Sequence, residues 1–351
     1  MSTTNETNAT GSSGTAPVRV ITLGTAGGPA WWREHGGARV PAGISTALVV
    51  GEDVYLVDAG YGAGAQLTRA GLDMSQLRAV FITHLHSDHV VDLPGLVLFG
   101  TYEIRDRRHT PVPVIGPGDR GMLPPVSPQA TVPPRPLHPE APTPGVAGLL
   151  EHIGRAFATD FNDRILDALH PPPTANFQAR EITLPDGTGF HPNENVAPDM
   201  EPFEVYRDEA VRVTATLVPH PPLAPAFAFR LDTAAGSVTI SGDTAPSDNL
   251  VRLARETDLL LHEAIDAQWL MDVYGTTDLD DSSRANLAHH RRAHTTTEEA
   301  GVIARRAGAR RLGLHHLVPG DLPRERWLTP ARRSFPGEVL VPGDLDEITL
   351  P

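Results

Sequence analysis

Short apolar runs come in two series, and each run is bounded by Gly, Asp or Pro. The first comprises Val18 to Leu23, Thr46 to Val50, Val54 to Asp58 and Ala79 to Thr83. The second comprises Val211 to Val218, Ala226 to Leu231, Ser237 to Ser241, Leu259 to Leu261, Arg311 to Leu314 and Glu338 to Val341. Runs this short read as strands. The second series reads like the first half repeated. In 211–218, Val211, Val213, Ala215 and Leu217 alternate with Arg212, Thr214 and Thr216, which predicts a strand with one buried face. Helical signals intervene at Ser247 to Glu256, where Ser247 or Asp248 can cap, and at Thr296 to Ala307, which opens with Thr and two glutamates. The pattern predicts an α/β fold of two sheets covered from outside by helices. One large domain over residues 18–351 is expected, with an insertion at about 116–205.

Between the halves, Thr110 to Pro144 is dense in proline. Leu149, Ile153, Phe157, Phe161, Ile165 and Leu169 then recur every fourth residue, which predicts an amphipathic helix. An extra core helix, a homodimer contact and a lid over the active site all satisfy that pattern, and the sequence leaves them open. Residues Met1 to Pro17 form a Ser, Thr, Asn and Gly tract with neither a basic start nor an apolar core. They read as a disordered tail and not as a secretion signal. No apolar run is long enough to cross a bilayer, so a soluble cytoplasmic protein without a membrane partner is expected.

Lys and Arg number 29 against 43 Asp and Glu, a formal charge of -14. Such a balance repels polyanions, so the expected partner is a small-molecule substrate and nucleic acid is disfavoured. The chain has no cysteine, so a bound metal must be held by His, Asp or Glu.

The chemistry concentrates in Thr83-His84-Leu85-His86-Ser87-Asp88-His89, directly after the apolar run that begins at Ala79. A tight loop after a strand can turn His84 and His86 toward one ion while Asp88 and His89 face a second. Further ligands are sought at other strand ends. His220 follows the run 211–218, Asp243 follows Val238 to Gly242, and His316 follows Leu312 to Leu314. Ser241-Gly242 permits a sharp turn that lets Asp243 bridge two cations with its two oxygens. Asp58 reads as an acceptor that orients a ligand histidine and the metal loop. The run Gly24 to Gly28 is a weak signal for a phosphate cradle, because no Lys-Ser or Lys-Thr follows. Trp31 and Trp32 beyond it weigh equally as pocket lining and as core packing. His289 and His290 read first as surface histidines, with a substrate contact left open by their nearness to His294.

The loop at His84 matches the H-x-H-x-D-H signature of the metallo-β-lactamase superfamily, and Val57-Asp58-Ala59-Gly60 matches its preceding acidic motif. Ser241 to Thr244, Leu261 to Ala264, His294 to Thr296 and His316 to Pro319 make the chain similar to the ribonuclease Z and arylsulfatase-like branch. The resemblance covers about residues 18–115 and 211–320. It implies a four-layer αββα sandwich with the Pro-rich and helical insertion between its halves. It further implies His84, His86 and His220 on one ion, Asp88, His89 and His316 on the other, and Asp243 between them. His316, and not its neighbour His315, is the ligand by position before Leu-x-Pro. Asp88, His294 and Glu263 are the implied catalytic residues, with His294 donating a proton near the leaving group and Glu263 orienting it. His262 is expected to be structural.

Two zinc ions are the expected cofactors, with Mn2+ or Fe as alternatives. The expected reaction is attack on a small phosphodiester, sulfate or related ester by a hydroxide bridging the ions. Opening of a lactone or amide ring on the same fold is one alternative. Processing of transfer-RNA 3′ ends is another, opposed by the acidic charge balance and the lack of a recognisable RNA-gripping arm.

Overall fold

The computed structural model describes residues 18–33, 40–104, 108–275 and 278–350. The predicted tail, Met1 to Pro17, lies outside them. The apolar runs of the first half become β1 (Val18–Gly24), β2 (Ser45–Val50), β3 (Asp53–Val57) and β4 (Leu77–Phe81), followed by β5 (Val112–Gly116) and β6 (Phe177–Glu181). The second half supplies β7 (Phe203–Arg207), β8 (Arg212–Leu217), β9 (Phe227–Thr233), β10 (Gly236–Ile240), β11 (Leu259–Ile265), β12 (Arg311–Val318), β13 (Glu338–Leu340) and β14 (Asp346–Thr349). They form two seven-stranded sheets, ordered β14-β1-β2-β3-β4-β5-β6 and β13-β12-β11-β10-β9-β8-β7.

The sheets share one plan. In the first, β1, β2 and β3 pair antiparallel and β3 to β6 run parallel. In the second, β7 to β10 pair antiparallel and β10 to β13 run parallel. The last strand returns to close the first sheet, with Val20 opposite Ile348.

Leu48, Tyr55, Phe81, Val213, Phe229 and Leu261 are buried between the sheets. On the outer face of the first sheet, Leu56 and Val80 pack with α1 (Ala63–Arg69), α3 (Leu93–Glu103), α4 (Val146–Ala156) and α5 (Ala158–Leu166). A four-residue helix of one turn, α2 (Ser87–Val90), lies within the His84 loop. On the outer face of the second sheet, Leu260, Leu312 and Leu314 pack with α6 (Asp248–Leu253), α9 (Thr297–Ala307) and α10 (Arg324–Ser334). Two further helices, α7 (Ala267–Tyr274) and α8 (Asp281–Ala293), precede α9. The architecture is a four-layer αββα sandwich, and it places the carboxyl ends of β4, β8, β10, β11 and β12 along one edge.

Two local expectations are corrected. β8 is buried on both faces beyond Arg212, since Thr214 and Thr216 are buried with the aliphatic residues. Helix layers cover this half of the sheet, so polar alternation here does not mark a solvent face. The long periodic stretch splits into α4 and α5 at Phe157, whose φ of -106° and ψ of 19° are not helical. Val146, Ile153 and Phe161 are buried against the first sheet, while Leu169 is exposed. Within 116–205, β6 and β7 each form one edge of a sheet, opposite β14 and β13.

Candidate metal centre

The loop after β4 carries four of the predicted residues, and two backbone devices shape it. Thr83 donates its N–H to Asp58 Oδ1 at 2.8 Å and its hydroxyl to Asp58 Oδ2 at 2.9 Å. Asp58 adopts a left-handed φ of 60°, which aspartate tolerates better than most residues. Its carboxylate also accepts from His89 Nδ1 at 2.8 Å. His84 Nδ1 lies 3.1 Å from the Thr83 hydroxyl. His84 and His89 are thereby fixed with their Nε2 atoms inward, the orientation a metal-ligating imidazole takes when its other nitrogen is held.

Three strand ends of the second half meet this loop. His220 Nδ1 donates to Ala293 O at 2.8 Å, leaving Nε2 3.0 Å from His86 Nδ1. His86 Nδ1 is also 3.2 Å from His84 Nε2. Nitrogens on one tetrahedral zinc at ~2.0–2.1 Å sit roughly 3.4 Å apart, so this triad has the spacing of a common ion site. Asp243 Oδ2 stands 3.8 Å from both His84 Nε2 and His220 Nε2. Its other oxygen, Oδ1, stands 3.3 Å from His89 Nε2 and 3.2 Å from His316 Nε2. Asp88 Oδ2 completes the second group, 3.2 Å from His316 Nε2 and 3.6 Å from His89 Nε2. Two four-residue groups result, His84, His86, His220 and Asp243, and Asp88, His89, Asp243 and His316. Asp243 belongs to both.

The turns that permit this are built from small residues. Gly242 has a φ of 57°, and a Cβ there would stand 2.7 Å from Phe227 O and 2.9 Å from Thr83 Cβ. A Cβ on Gly27 would stand 2.5 Å from the His316 ring. The choice between His315 and His316 comes from a register shift. Glu263 pairs with His315 and Ala264 with Leu317, so His316 is the extra residue of a bulge, with a φ of 46°. A bulge re-aims one side chain, and here it sends His316 into the cluster. His315 is buried beside it, its ring held down to about 3 by burial.

The electrostatics suit cations. Burial holds His84 and His220 well below the usual histidine value, which keeps their rings neutral with lone pairs available. His89 is pushed well above it, because Asp243, Asp58 and Asp88 outweigh the cost of burial. Asp88 is buried, yet His89 and His316 hold its carboxyl well below the ordinary range. His89 Nε2 and Asp243 Oδ1 are buried and make no hydrogen bond despite their closeness. Unsatisfied buried atoms are expensive, and the carboxylates that raise His89 would equally attract a cation, which displaces the ring's proton on binding.

His294 and Glu263 sit over this centre. Glu263 Oε1 accepts from Thr244 N at 2.7 Å, and His294 Nδ1 lies 3.0 Å from Glu263 Oε2. Burial opposes charge on His294, but Glu263, Asp243 and Asp88 push it up to about 9. Burial also raises the Glu263 carboxyl, with His294 pulling it back. The pair therefore holds a proton firmly near neutrality. The His294 ring centre is 5.0 Å from His220 and 6.3 Å from His316. His262 is buried apart from the centre, with Nδ1 donating to Glu263 O at 2.7 Å.

The sequence leaves two residues near the centre unassigned, although it keeps a substrate contact open for His289. His289 is half-buried and not a surface residue, with ring centres 6.2 Å from His86, 5.8 Å from His220 and 5.6 Å from His294. Its nearness in sequence to His294 was the available signal. Tyr61, after Asp58 in the same turn, had none. The tryptophan pair divides. Trp32 donates Nε1 to Gly27 O at 2.7 Å and packs on Trp269, while Trp31 is 76% exposed beside Asp88.

The family described as Metallo-beta-lactamase superfamily matches residues 40–292. Ribonuclease Z of Mycobacterium bovis (strain BCG / Pasteur 1173P2) is 27% identical over 312 residues, covering 88% of this chain and 91% of that protein. Ribonuclease Z of Mycobacterium sp. (strain KMS) is 29% identical over 316 residues, covering 88% and 90%. The solved structure of the short form of human tRNase Z aligns with a TM-score of 0.59 at 21% identity, covering 95% of this chain and 99% of that one. YhfI from Bacillus subtilis, a metallo-beta-lactamase fold protein, aligns at 0.58 and 19%, covering 95% and 99%. These relatives correct the expectation that nucleic acid is disfavoured as a partner. A charge of -14 is a property of the whole surface. A scissile phosphate meets only the local field at the centre, which bound cations would make positive.

Proposed function

Because the chain belongs to the metallo-β-lactamase superfamily, we propose that it is a metal-dependent phosphodiesterase whose substrate is RNA, cleaved as a ribonuclease Z cleaves it. The observation that carries this reading is the pair of ligand groups sharing Asp243, set beneath His294 and Glu263, in a chain aligned over 88% of its length with ribonucleases Z. His84, His86 and His220 would hold one ion, Asp88, His89 and His316 the other, and Asp243 would lie between them. A buried, nitrogen-rich set without thiolates suits zinc, with manganese or iron as substitutes. Two such ions, when bound, lower the pKa of water and draw charge from the phosphoryl oxygens.

The chain's own groups do the rest. Glu263 fixes His294 by Nδ1 and keeps it protonated, so Nε2 is the nitrogen that gives a proton to the departing ribose oxygen. Asp88, which accepts from Gly28 N at 2.9 Å, orients the water-facing side of the second group. Asp58 and Thr83 hold the ligand loop against rotation.

A second reading is favoured by a cleft of about 370 Å³ on the His86 side. Its walls include Leu85, Pro117, Pro144, Leu149 and Leu223, which suit the apolar part of a small phosphodiester or aryl sulfate. The test offers purified protein four substrates: a transfer-RNA precursor with a 3′ trailer, a nitrophenyl phosphodiester, nitrophenyl sulfate and a homoserine lactone. Trailer removal at one position is the expected result. An untouched precursor together with rapid turnover of a small ester would transfer the assignment to the second reading.

A further inference from the structure

We propose that the cleft on the Asp88 side of the centre is a nucleobase subsite, in which an unpaired base next to the scissile phosphate stacks on Trp31 with Tyr61 at its edge. The proposal rests on the ribonuclease reading. The cleft encloses about 190 Å³ and is lined by Pro29, Trp31, Tyr61, Ser87, Asp88 and Val91, among others. It is therefore continuous with the metal centre through Asp88.

Packing does not account for its aromatic residues. Trp31 is 76% exposed, Tyr61 51% and Val91 52%. The two rings meet edge to face, with centroids 6.2 Å apart and an interplanar angle of 69°. One face of the indole is thus left to the cleft. Trp32, the adjacent residue, takes the packing role, so the loop does not need Trp31 for its own structure. That loop is anchored at several points. Gly27 N donates to Leu317 O at 3.1 Å, Gly28 N to Asp88 Oδ2 at 2.9 Å, and Ala30 N to Gly28 O at 2.8 Å. Tyr61 is held from the other side, its carbonyl accepting from Gly43 N at 2.8 Å. An aromatic pair in the same cleft as a candidate metal ligand would set the distance between a stacked base and the phosphate under attack.

The cleft's chemistry selects among ligands. Its described lining is aromatic, apolar or small apart from Ser87 and Asp88, which suits a base face. Ring faces accept any base, whereas sequence readout needs convergent hydrogen-bond groups. The subsite therefore contributes affinity and register with little base preference. A single-stranded trailer or junction nucleotide fits, and a paired base does not present its face.

The test compares wild type, Trp31→Ala and Trp31→Phe on a trailer-bearing precursor and on the same RNA made abasic at either nucleotide flanking the cleavage point. On intact RNA, Trp31→Ala is expected to raise KM roughly 10- to 100-fold, with the loss in KM and not in kcat, and Trp31→Phe to recover most of it. One abasic position should raise the wild-type KM by a similar factor, and Trp31→Ala should add nothing on that RNA. Unchanged KM in Trp31→Ala, or losses from the variant and the abasic site that multiply, would overturn the subsite while leaving the ribonuclease reading intact. Concentration-dependent self-association of the wild type that Trp31→Ala abolishes would assign the patch to a second copy instead. If wild type leaves the precursor whole, the ribonuclease reading falls and takes the subsite with it.

Discussion

His316 shows how much a single residue can depend on backbone detail. Its side chain belongs to the centre because a bulge in β12 turns it there and because Gly27 leaves room for its ring. The sequence made His84, His86, Asp88 and His89 legible through density alone, four ligand types in one turn. His220, Asp243 and His316 were legible through position, each at the end of an apolar run. His289 was legible only through its nearness in sequence to His294, and Tyr61 was not legible, since one ring with no local motif looks like any other surface residue. The roles proposed for these side chains separate by variant. His86→Ala should abolish turnover and lower bound metal, because it removes one corner of the triad. His294→Ala should keep its metal and lose ~10²–10⁴-fold in turnover, the usual range for a missing proton donor. Metal content and rate measured on the same samples check both, and metal loss in His294→Ala would contradict the division.

At the scale of elements, strands with strong apolar runs were read well, while β5, β6, β7 and β14 were not read. β5 contains Pro113, β6 exposes three of its five residues and β7 buries none, so composition gave them little strand signature. β11 and β12 ran several residues beyond their apolar runs, through His262-Glu263 and His315-His316, because catalytic-type residues continue the ladder without continuing the hydrophobicity. Helix α9 was legible from its cap. Thr296 N donates to Glu299 Oε2 at 2.9 Å, and Glu299 N donates back to Thr296 Oγ1 at 3.4 Å. This cap closes the segment that begins with His294. Thr296→Ala should cost roughly 1 kcal/mol in denaturant unfolding, the typical loss for a helix cap. A change within error would show that packing of Ala300, Ile303 and Ala304 alone holds the helix in place.

For the whole molecule, the two-sheet plan was legible because each half repeats the same order of runs. The convergence of strand ends on one edge was implied by that order, since parallel strands in a twisted sheet open their carboxyl ends to a common crevice. Net charge misled at this scale. It described the average surface, while function is set at a site whose field is local. Side chains from His84 to His316 bring their ligand atoms within 4.8 Å of one another in each group, so the fold's chief product is one convergent cluster. Elemental analysis of protein stripped by chelator and refilled with zinc tests that most directly. Two ions per chain, activity returning in step with metal, and fewer than two ions in Asp243→Ala are the expected results. Full activity in the stripped protein, or two ions retained after Asp243→Ala, would contradict a centre built on a shared aspartate.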